Sequence, residues 1–474
     1  MKTRYIVNLL SLFLLCSLFN VVLAQKTVLY NISQSASMEI NPAHKVKTRG
    51  SYFTLPILNY QEFNINAGGL SYDKIIKKES TATGTKLLLD YNHILSNLRS
   101  SNTLGLTAEF GLLGIGIANR KDYYSFSVKE KAIGQFQYSK KFLDLFMNGV
   151  AIEELPNGQK KYRDGSTGSL FFDVMHYREF AFGYDRAFDD RFSLGVRFKL
   201  LFGMAGLSTS GMRVDITSDD LNAMNLSTYG RVNISGPVEF DVVTNEDGVA
   251  EIKNSKSTFS SSYFTETGNL GAAVDLGIEF TPNDTWCVGL SLIDLGAISY
   301  KTNTKQIYTD SSYRYEGVDI SNSVNKDKEG YVSFSDAMDN LVTEAKSKLK
   351  VEDSDQSFSQ KLPLQLYVNG IYSPVKWFDT SLLLKHRSFQ YFTDNGLHLS
   401  ANLHCKWVDF STQYTWNNVT NSGLGFGVNL KLGPLHLYAA TDNILPLMGT
   451  NYSLYSSYRM GMNFVIDRKN KRQY

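Results

Sequence analysis

Strict alternation of apolar and polar residues between Gly396 and Trp407 constrains the fold of this chain more than any other feature. Successive side chains of a β-strand point to opposite faces, so the pattern predicts a strand with one apolar and one polar face. About ten alternating residues is also the length at which a tilted strand crosses a bilayer. The odd positions carry Leu397, Leu399, Ala401, Leu403, Cys405 and Trp407, and the even positions carry His398, Ser400, Asn402, His404 and Lys406.

The same pattern recurs along most of the chain, separated by polar turns. Tyr (28) and Phe (29) are abundant while Pro (9) is scarce, which is typical of many strands joined by turns. We therefore predict an all-β protein, with strands in residues 51–59, 63–72, 103–110, 112–118, 123–128, 180–184, 192–200, 274–280, 288–292, 364–372, 377–387, 396–407, 410–415, 423–432, 435–440 and 455–466.

Charged residues occupy the polar face of several predicted strands. Arg197 and Lys199 lie at polar positions of one strand, and Asp275 and Glu279 at polar positions of another. A water-filled interior tolerates such charges. Strands can enter a membrane only as a closed sheet, because every backbone N–H and C=O group must be paired there. We predict a transmembrane antiparallel β-barrel of roughly 14 strands, with 12 to 18 possible, and these four residues as candidate lumen-facing charges. A periplasmic sandwich or a propeller stays open as the alternative.

The N-terminus is typical of a secretory leader. Lys2 and Arg4 precede a long apolar run, and Val22-Leu23-Ala24 ends with small residues at the positions that a signal peptidase reads. We expect cleavage after Ala24, an uncleaved membrane anchor being the alternative, and a single barrel domain over residues 25–474. Residues 1–24 carry two basic and no acidic residues, so the remaining 46 basic and 46 acidic residues balance. A chain without a basic field is not expected to bind nucleic acid.

Four segments depart from the strand pattern. Residues 86–98 have helical spacing and predict a short helix that plugs the lumen or caps a periplasmic end, with strand and turn as the alternative. Residues 141–147 are a second helical candidate. Residues 236–262 are predicted to form a long polar loop. Residues 304–361 are polar and charged, and Ala337, Leu341, Ala345 and Leu349 predict an amphipathic helix over 335–349 within this insert, which is either a plug, a cap or a solvated loop.

The sequence carries no catalytic signature. It lacks a Gly-x-Ser-x-Gly elbow, a His-Glu-x-x-His motif and a phosphate-binding glycine loop. His398 and His404 share one face of a strand, but six residues of strand separate them by roughly 20 Å, too far to share a metal. Beyond the leader the chain has only Cys287 and Cys405, a number that argues against a disulfide framework. We expect no enzyme activity, no cofactor and no metal.

Short motifs near the N-terminus carry a family resemblance. Gln34-Ser35, Asn41-Pro42-Ala43 and the strand residues Leu55-Pro56 resemble a family of Bacteroidota outer-membrane barrels of unassigned function. That family is distantly similar to the long-chain fatty acid transporter (FadL-like) barrels and to the PorV-type barrels of the type IX secretion system. The resemblance implies a cell outer-membrane location in a Gram-negative envelope, with outer-membrane lipid around the barrel.

Two functions follow from the resemblance and the pattern. The first is a channel or transporter of small solutes, with hydrophobic solutes as an open alternative, in which residues 86–98 and 335–349 act as plug or gate. The second is a barrel that docks another envelope or secreted protein, with its contact surface in residues 236–262 and 304–361. We favour transport, although a shared fold does not fix a function.

Overall fold

The computed structural model describes 14 continuous parts of the chain. They are residues 27–44, 50–54, 59–81, 84–148, 152–218, 221, 223–244, 250–257, 261–265, 267–315, 352–354, 356–418, 421–448 and 453–466. The predicted leader, Leu55-Pro56 and the predicted helix at 335–349 lie outside the described residues.

Strands dominate the described chain. In chain order they are β1 (Ser51–Thr54), β2 (Tyr60–Ser71), β3 (Ile76–Thr81), β4 (Gly84–Leu89), β5 (Ser101–Asn119), β6 (Asp122–Ser139), β7 (Ile152–Glu154), β8 (Lys160–Tyr162), β9 (Gly165–Ser166), β10 (Phe171–Ala187), β11 (Phe192–Thr217), β12 (Met224–Ser235), β13 (Val238–Thr244), β14 (Ala250–Ser257), β15 (Asn269–Asn283), β16 (Trp286–Tyr300), β17 (Thr304–Tyr315), β18 (Glu352–Ser354), β19 (Phe358–Lys361), β20 (Leu364–Val375), β21 (Phe378–Ser388), β22 (Thr393–His404), β23 (Val408–Asn417), β24 (Asn421–Leu432), β25 (Leu435–Thr441) and β26 (Ser453–Ile466).

The helices are short. They are α1 (Gln34–Ser37), α2 (Tyr72–Ile75), α3 (Tyr91–Asn97), α4 (Lys140–Asn148) and α5 (Leu445–Met448), with a 3₁₀ turn at Ser261–Thr265. Among the described residues, no helix is long and apolar enough to cross a membrane.

Fourteen strands close into an antiparallel barrel, as the alternation predicted. β1 and β2 form one strand in two pieces, since both pair with β5 on one side and β26 on the other. From there the wall runs through β5, β6, β10, β11, β15, β16, β20, β21, β22, β23, β24 and β25 to β26. Pairing of the last strand with the first leaves the barrel without an open edge.

The two ends of the barrel differ in the length of their connections. At one end, which we call the turn end, neighbouring strands are joined by the short stretches 120–121, 188–191, 284–285, 376–377, 405–407 and 433–434. The opposite loop end carries the long connections, including residues 218–268 and 301–363. At the loop end β11 continues beyond its pairing with β15 and pairs with β12, which pairs with β17. Within the described ranges, this projecting sheet extends the wall on the side of β11.

Polar side chains shape the turns at the turn end. The Asp189 carboxylate accepts hydrogen bonds from the backbone N–H groups of Arg191 (2.8 Å) and Phe192 (2.5 Å). These bonds lower the pKa of Asp189 below its usual range because they stabilise the carboxylate. Asn283 binds the N–H groups of Thr285 and Trp286 in the same way. Such side-chain bonds replace backbone pairing where a strand reverses.

Alternation sorts side chains to the two faces of the wall as predicted. In β11, Ser193, Gly195, Arg197 and Lys199 are buried, whereas Phe198 between them is 59% exposed. In β22, the residues that opened the sequence argument behave likewise, with His398, Ser400 and Asn402 buried and Leu399 and Leu403 exposed; the strand ends at His404, so Cys405 and Trp407 belong to the turn. The outer face of the wall is therefore apolar, and the inner face is polar.

In β16, a β-bulge interrupts the alternation of inward and outward side chains. The register of β15 and β16 shifts between Val274 and Leu276, and Asp294 adopts a left-handed conformation with φ of 62°. Asp tolerates this conformation better than most residues. The bulge turns both Ile293 and Asp294 inward, and Leu295 beyond them is 50% exposed. It therefore adds a carboxylate to the interior that strict alternation does not predict.

Three predictions for the irregular segments need correction. Residues 86–98 are not one helix, since Lys86–Leu89 belong to β4 and only α3 is helical; the Asp90 side chain caps α3 by accepting from His93 N–H at 3.1 Å. Residues 236–262 are not an irregular loop, because β13 and β14 form a hairpin there. Residues 304–315 do not break the strand pattern but form β17. The described side chains of β4 are exposed or half-buried and those of β17 are mostly half-buried, so neither strand alternates clearly between an apolar and a polar face. The predicted helix at 141–147 is confirmed as α4.

Candidate functional site: the plugged interior of the barrel

Residues 27–44 lie inside the barrel, and we call this segment the plug. Apart from Gln34 and Ser35, whose side chains are not described, its residues are almost fully enclosed. The plug has no strand periodicity; it is a series of turns around α1. The interior is thus filled by a segment of the chain itself rather than by the helices at residues 91–97 or 140–148.

Apolar side chains of the plug pack against inward-facing aromatic and aliphatic residues of the wall. Three of the five buried apolar clusters among the described residues contain plug residues. Val28, Leu29 and Ile32 contact the first cluster, Tyr30 and Ile40 the second, and Met38 the third. The wall contributes Tyr60, Tyr438, Ala440 and Tyr458 to the first, Ile293, Tyr367, Ile371 and Leu383 to the second, and Tyr52, Tyr123 and Val465 to the third.

Glycines on the inner wall make room for the plug. An added Cβ at Gly195 would lie 2.5 Å from the carbonyl carbon of Pro42, closer than real Cβ contacts allow. At Gly277 it would overlap the Asn41 side chain and lie 2.8 Å from Pro42 Cδ. Asn41-Pro42-Ala43, one of the motifs that carried the family resemblance, therefore sits in a groove that requires glycine at both positions.

A carboxylate of the plug joins the charged inner wall. Glu39 contacts Lys129 of β6 (2.6 Å) and Arg197 of β11 (2.8 Å). Both partners are also paired within the wall, Lys129 with Glu109 (2.9 Å) and Arg197 with Asp275 (2.6 Å). All of these groups are less than a tenth exposed. Buried charges require such partners because the low-dielectric interior does not solvate them.

The structure brings the four predicted charges to the inner face of neighbouring strands. Lys199 lies 2.8 Å from Asp275, which links it to Arg197, and it also contacts Asp294. Glu279 stands apart from this group and contacts His44 of the plug at 2.5 Å. Arg197, Lys199 and Asp275 thus belong to one ion-pair network, whereas Glu279 makes a separate contact with the plug.

Sequence reasoning missed other members of the network, namely Glu39, Glu109, Lys129, Lys131, Glu179 and Asp294. Lys131 pairs with Glu179 at 2.7 Å, and Glu179 lies 3.7 Å from Lys199. Glu179 alternates with Phe180 and Phe182 along β10, so its inward direction could have been predicted from the sequence. Glu39 gave none, because the plug has no period from which its direction follows.

Neutral hydrogen bonds hold the other side of the plug. Asn31 Nδ2 donates to Ser381 Oγ (2.9 Å), Asn429 Nδ2 donates to the carbonyl oxygen of Ile32 (2.9 Å), and Gln413 Nε2 donates to Thr27 Oγ1 (2.9 Å). These wall residues lie on β21, β24 and β23. The plug is therefore tied to several parts of the wall. Glu39 makes ion pairs on one side. On the other side these bonds join uncharged groups, although Thr27 Oγ1 also donates to the Asp442 carboxylate at 3.4 Å.

Aromatic contact fixes His44 at the end of the plug. The rings of Tyr30 and His44 stack with centroids 4.3 Å apart.

Small cavities remain between the described parts of the plug and the wall. One has a volume of about 40 Å³ and is lined by charged and polar groups that include Glu62, Lys131, Asp294 and Arg387. Two others are each about 20 Å³; one adjoins Asn64 and Asp394, and the other lies beside Glu39, Lys129 and Arg197. Volumes of this size hold one or a few water molecules. With the plug in place, none of these three cavities is large enough for an organic solute.

Comparison with solved structures finds barrels at low identity. The chain is similar to the toluene transporter TodX of Pseudomonas putida (8% identity, 91% of this chain and 94% of that chain, TM-score 0.39). It is similar to the Ralstonia pickettii toluene transporter TbuX (11%, 91% and 93%, 0.39) and to a Pseudomonas aeruginosa FadL homologue (10%, 93% and 96%, 0.40). TM-scores this low carry no argument about what this chain binds.

Comparison by sequence identifies a family. No curated protein matches the chain. The model of a family of unknown function (DUF5723) matches residues 42–442, from the end of the plug to the end of β25. Because this match spans most of its length, the chain belongs to the DUF5723 family.

Proposed function

We propose that this protein is an outer-membrane channel for small solutes, not an enzyme, and that the plug closes its pore. The observation that carries the proposal is a chain segment enclosed in a barrel whose interior is polar and whose outer wall is apolar. A polar interior has no need of a plug for folding in a membrane, since wide barrels fill with water. A plug held by reversible contacts gives the barrel a closed state that can open.

The outer face of the wall supports the location. Phe182, Phe198, Leu384 and Leu399 are all 45% exposed or more, at 56%, 59%, 46% and 52%, and they lie on strands around the barrel. Trp286, Trp377 and Trp407 cluster at the turn end, where they are 48%, 60% and 64% exposed. An apolar band with an aromatic girdle is typical of barrels in lipid. We propose that residues 1–24 are removed on export and that residues 25–474 form the single barrel domain; an origin in Bacteroidota stays a prediction.

The predicted lumen charges have a more specific role in this proposal. Arg197, Lys199 and Asp275 are at most 3% exposed and are paired with other groups. They are therefore not free to contact a passing solute while the channel is closed. We propose that they position the plug through Glu39, and that they face the pore only after the plug moves.

We also propose which class of solute the channel carries. At the loop end, Leu95 of α3 and Phe142 of α4 form an apolar cluster with Leu98, which follows α3, and with Tyr138 of β6. This cluster supports entry of hydrophobic solutes, whereas the charged cavities deeper in the barrel support passage of polar groups. Small amphipathic or hydrophobic solutes satisfy both regions.

Removal of residues 25–44, with the leader retained, tests the channel. We expect the wild-type barrel to be mostly closed in planar bilayers and the truncated barrel to conduct steadily, because the segment that fills the interior is missing. The swelling rate of proteoliposomes in arabinose then measures the passage of a small polar solute. Heat-modifiable migration on gels verifies that both proteins are folded barrels. Equal low conductance of the two folded proteins would contradict the proposal.

A docking role is the second candidate, and the projecting sheet favours it. Arg213 lies over the ring of Tyr229 at 4.9 Å, and Arg231 over the ring of Tyr308 at 5.6 Å, on β11, β12 and β17. Arginine and aromatic residues are enriched at protein interfaces. Affinity purification from the native envelope tests it: a stoichiometric partner that is lost on deleting residues 236–262 supports docking, and its retention contradicts docking through that hairpin.

A further inference from the structure

Three metal-ligating side chains meet where the end of the plug touches the wall. They are His44 of the plug, Glu279 of β15 and Cys287 of β16. One potential donor atom from each, a ring nitrogen, a carboxylate oxygen and the sulfur, lies within 4.8 Å of the other two. His44 and Glu279 are buried, and Cys287 is half-buried. Three segments distant in sequence thus present three kinds of donor to one point.

The donor set suits a borderline divalent cation. Histidine nitrogen, cysteine thiolate and carboxylate oxygen are the ligands that proteins use for Zn²⁺, whereas Ca²⁺ and Mg²⁺ prefer oxygen alone. Donors around a tetrahedral zinc ion lie roughly 3.3–3.7 Å apart, given bonds of about 2.0–2.3 Å. His44 Nδ1 and Glu279 Oε2, now 2.5 Å apart, must separate slightly, while the third donor is already within 4.8 Å.

The surroundings hold the three donors in place. The ring of His44 stacks on Tyr30, which limits its rotation. Glu279 pairs with Gly289 of β16 on one side and with Ser193 of β11 on the other, and Cys287 lies two residues before Gly289 on the same inner face. The backbone of the plug is anchored next to His44, because Ser193 Oγ donates to the carbonyl oxygen of Ala43 at 3.1 Å.

We propose that His44, Glu279 and Cys287 bind one Zn²⁺-like cation that fastens the plug to the wall. The Glu279 carboxylate and the Cys287 thiolate each carry one negative charge, and together they balance the two positive charges of the ion in this low-dielectric interior. The site is independent of the solute proposal, since a permanently closed barrel and a channel would both be stabilised by it. Its consequence for a channel is that plug release becomes dependent on metal.

Cobalt titration of the purified barrel tests the site. Co²⁺ substitutes for Zn²⁺ in such sites and shows a near-ultraviolet charge-transfer absorption only when a thiolate is a ligand. We expect the chelator-treated wild-type protein in detergent to bind one Co²⁺ per barrel with this absorption, and Zn²⁺ to displace it. Wild-type protein without the thiolate absorption would overturn the proposal.

Cys287→Ser and Cys405→Ser form a matched pair of variants. Cys405 is exposed in a turn, and these are the two cysteines among the described residues. We expect Cys287→Ser to lose the absorption and Cys405→Ser to keep it. The reverse result, or an unchanged spectrum in Cys287→Ser, would also overturn the proposal. Glu279→Gln, which keeps the size of the side chain, is expected to weaken Co²⁺ binding at least tenfold, and heat-modifiable migration shows whether each variant is folded.

Discussion

The two sides of the plug are held by different kinds of interaction. On the side of β6, β11 and β15, Glu39 completes an ion-pair network of Lys129, Arg197 and Asp275. On the side of β21, β23 and β24, the plug makes hydrogen bonds between uncharged groups, such as Asn429 to Ile32. A buried charge that loses its partner is costly, whereas a neutral hydrogen bond contributes about 1 kcal/mol. The comparison implies that the charged side controls release of the plug.

Glu39→Ala is the change with the largest expected effect. It removes the plug carboxylate from Lys129 and Arg197, each of which keeps one wall partner, so we expect a cost of about 3 kcal/mol, the lower end of the range for a broken buried pair. Plug release should become roughly 100-fold more frequent, since each 1.4 kcal/mol is tenfold. The opening frequency of single channels in planar bilayers measures this change.

Glu179→Gln is the matched control for Glu39→Ala. Glu179 pairs with Lys131 at 2.7 Å and with Lys199 at 3.7 Å, both on the wall. Its loss should lower the temperature at which the barrel unfolds on gels while leaving opening frequency near that of wild type. If both variants open equally often, the network stabilises the wall and does not control the plug.

Gly277→Val tests whether close packing, rather than charge, seats the plug. The new side chain would overlap Asn41 and Pro42, and we expect a cost of about 1–3 kcal/mol, as for other overpacked cores. Limited proteolysis of the N-terminal segment in the folded barrel should be faster. Gly370→Val is the control, because a Cβ there meets nothing within 4 Å. Equal proteolysis of both variants would show that the groove does not constrain the plug.

Asn429→Ala probes the uncharged side and has the smallest expected effect. Loss of the 2.9 Å bond to the Ile32 carbonyl should weaken the hold on the plug by about 1 kcal/mol, while loss of the 3.1 Å bond from Asn429 to the Asp409 carboxylate affects the wall. Asn402→Ala is the control, since Asn402 bonds to Asp379 and Ser400 of the wall. In combination with Glu39→Ala the effects on opening should add, because the two sites share no partner. A coupling above about 0.5 kcal/mol would show that the two sides of the plug do not act separately.

Much of the wall was predictable from the sequence because alternation has a direct geometric meaning. The inward direction of Arg197, Lys199, Asp275 and Glu279 follows from their position relative to Phe198 and Ile278 in regular strands. Counting such segments predicted roughly 14 strands, with 12 to 18 possible, and the barrel has 14. The bulge at Asp294 was beyond this reasoning, because one additional residue changes the face of everything after it and leaves no mark in the pattern.

The sequence by itself determined a barrel with a polar inner face and an apolar outer face, because alternate residues of each strand assign its two faces without reference to the rest of the chain. Only the tertiary structure decided what fills the interior. Glu39 and His44 belong to a segment without periodicity, and their partners Lys129, Arg197 and Glu279 lie 90 or more residues away in the chain. Contacts between such distant segments depend on barrel closure, which sets which strands face the plug across the interior.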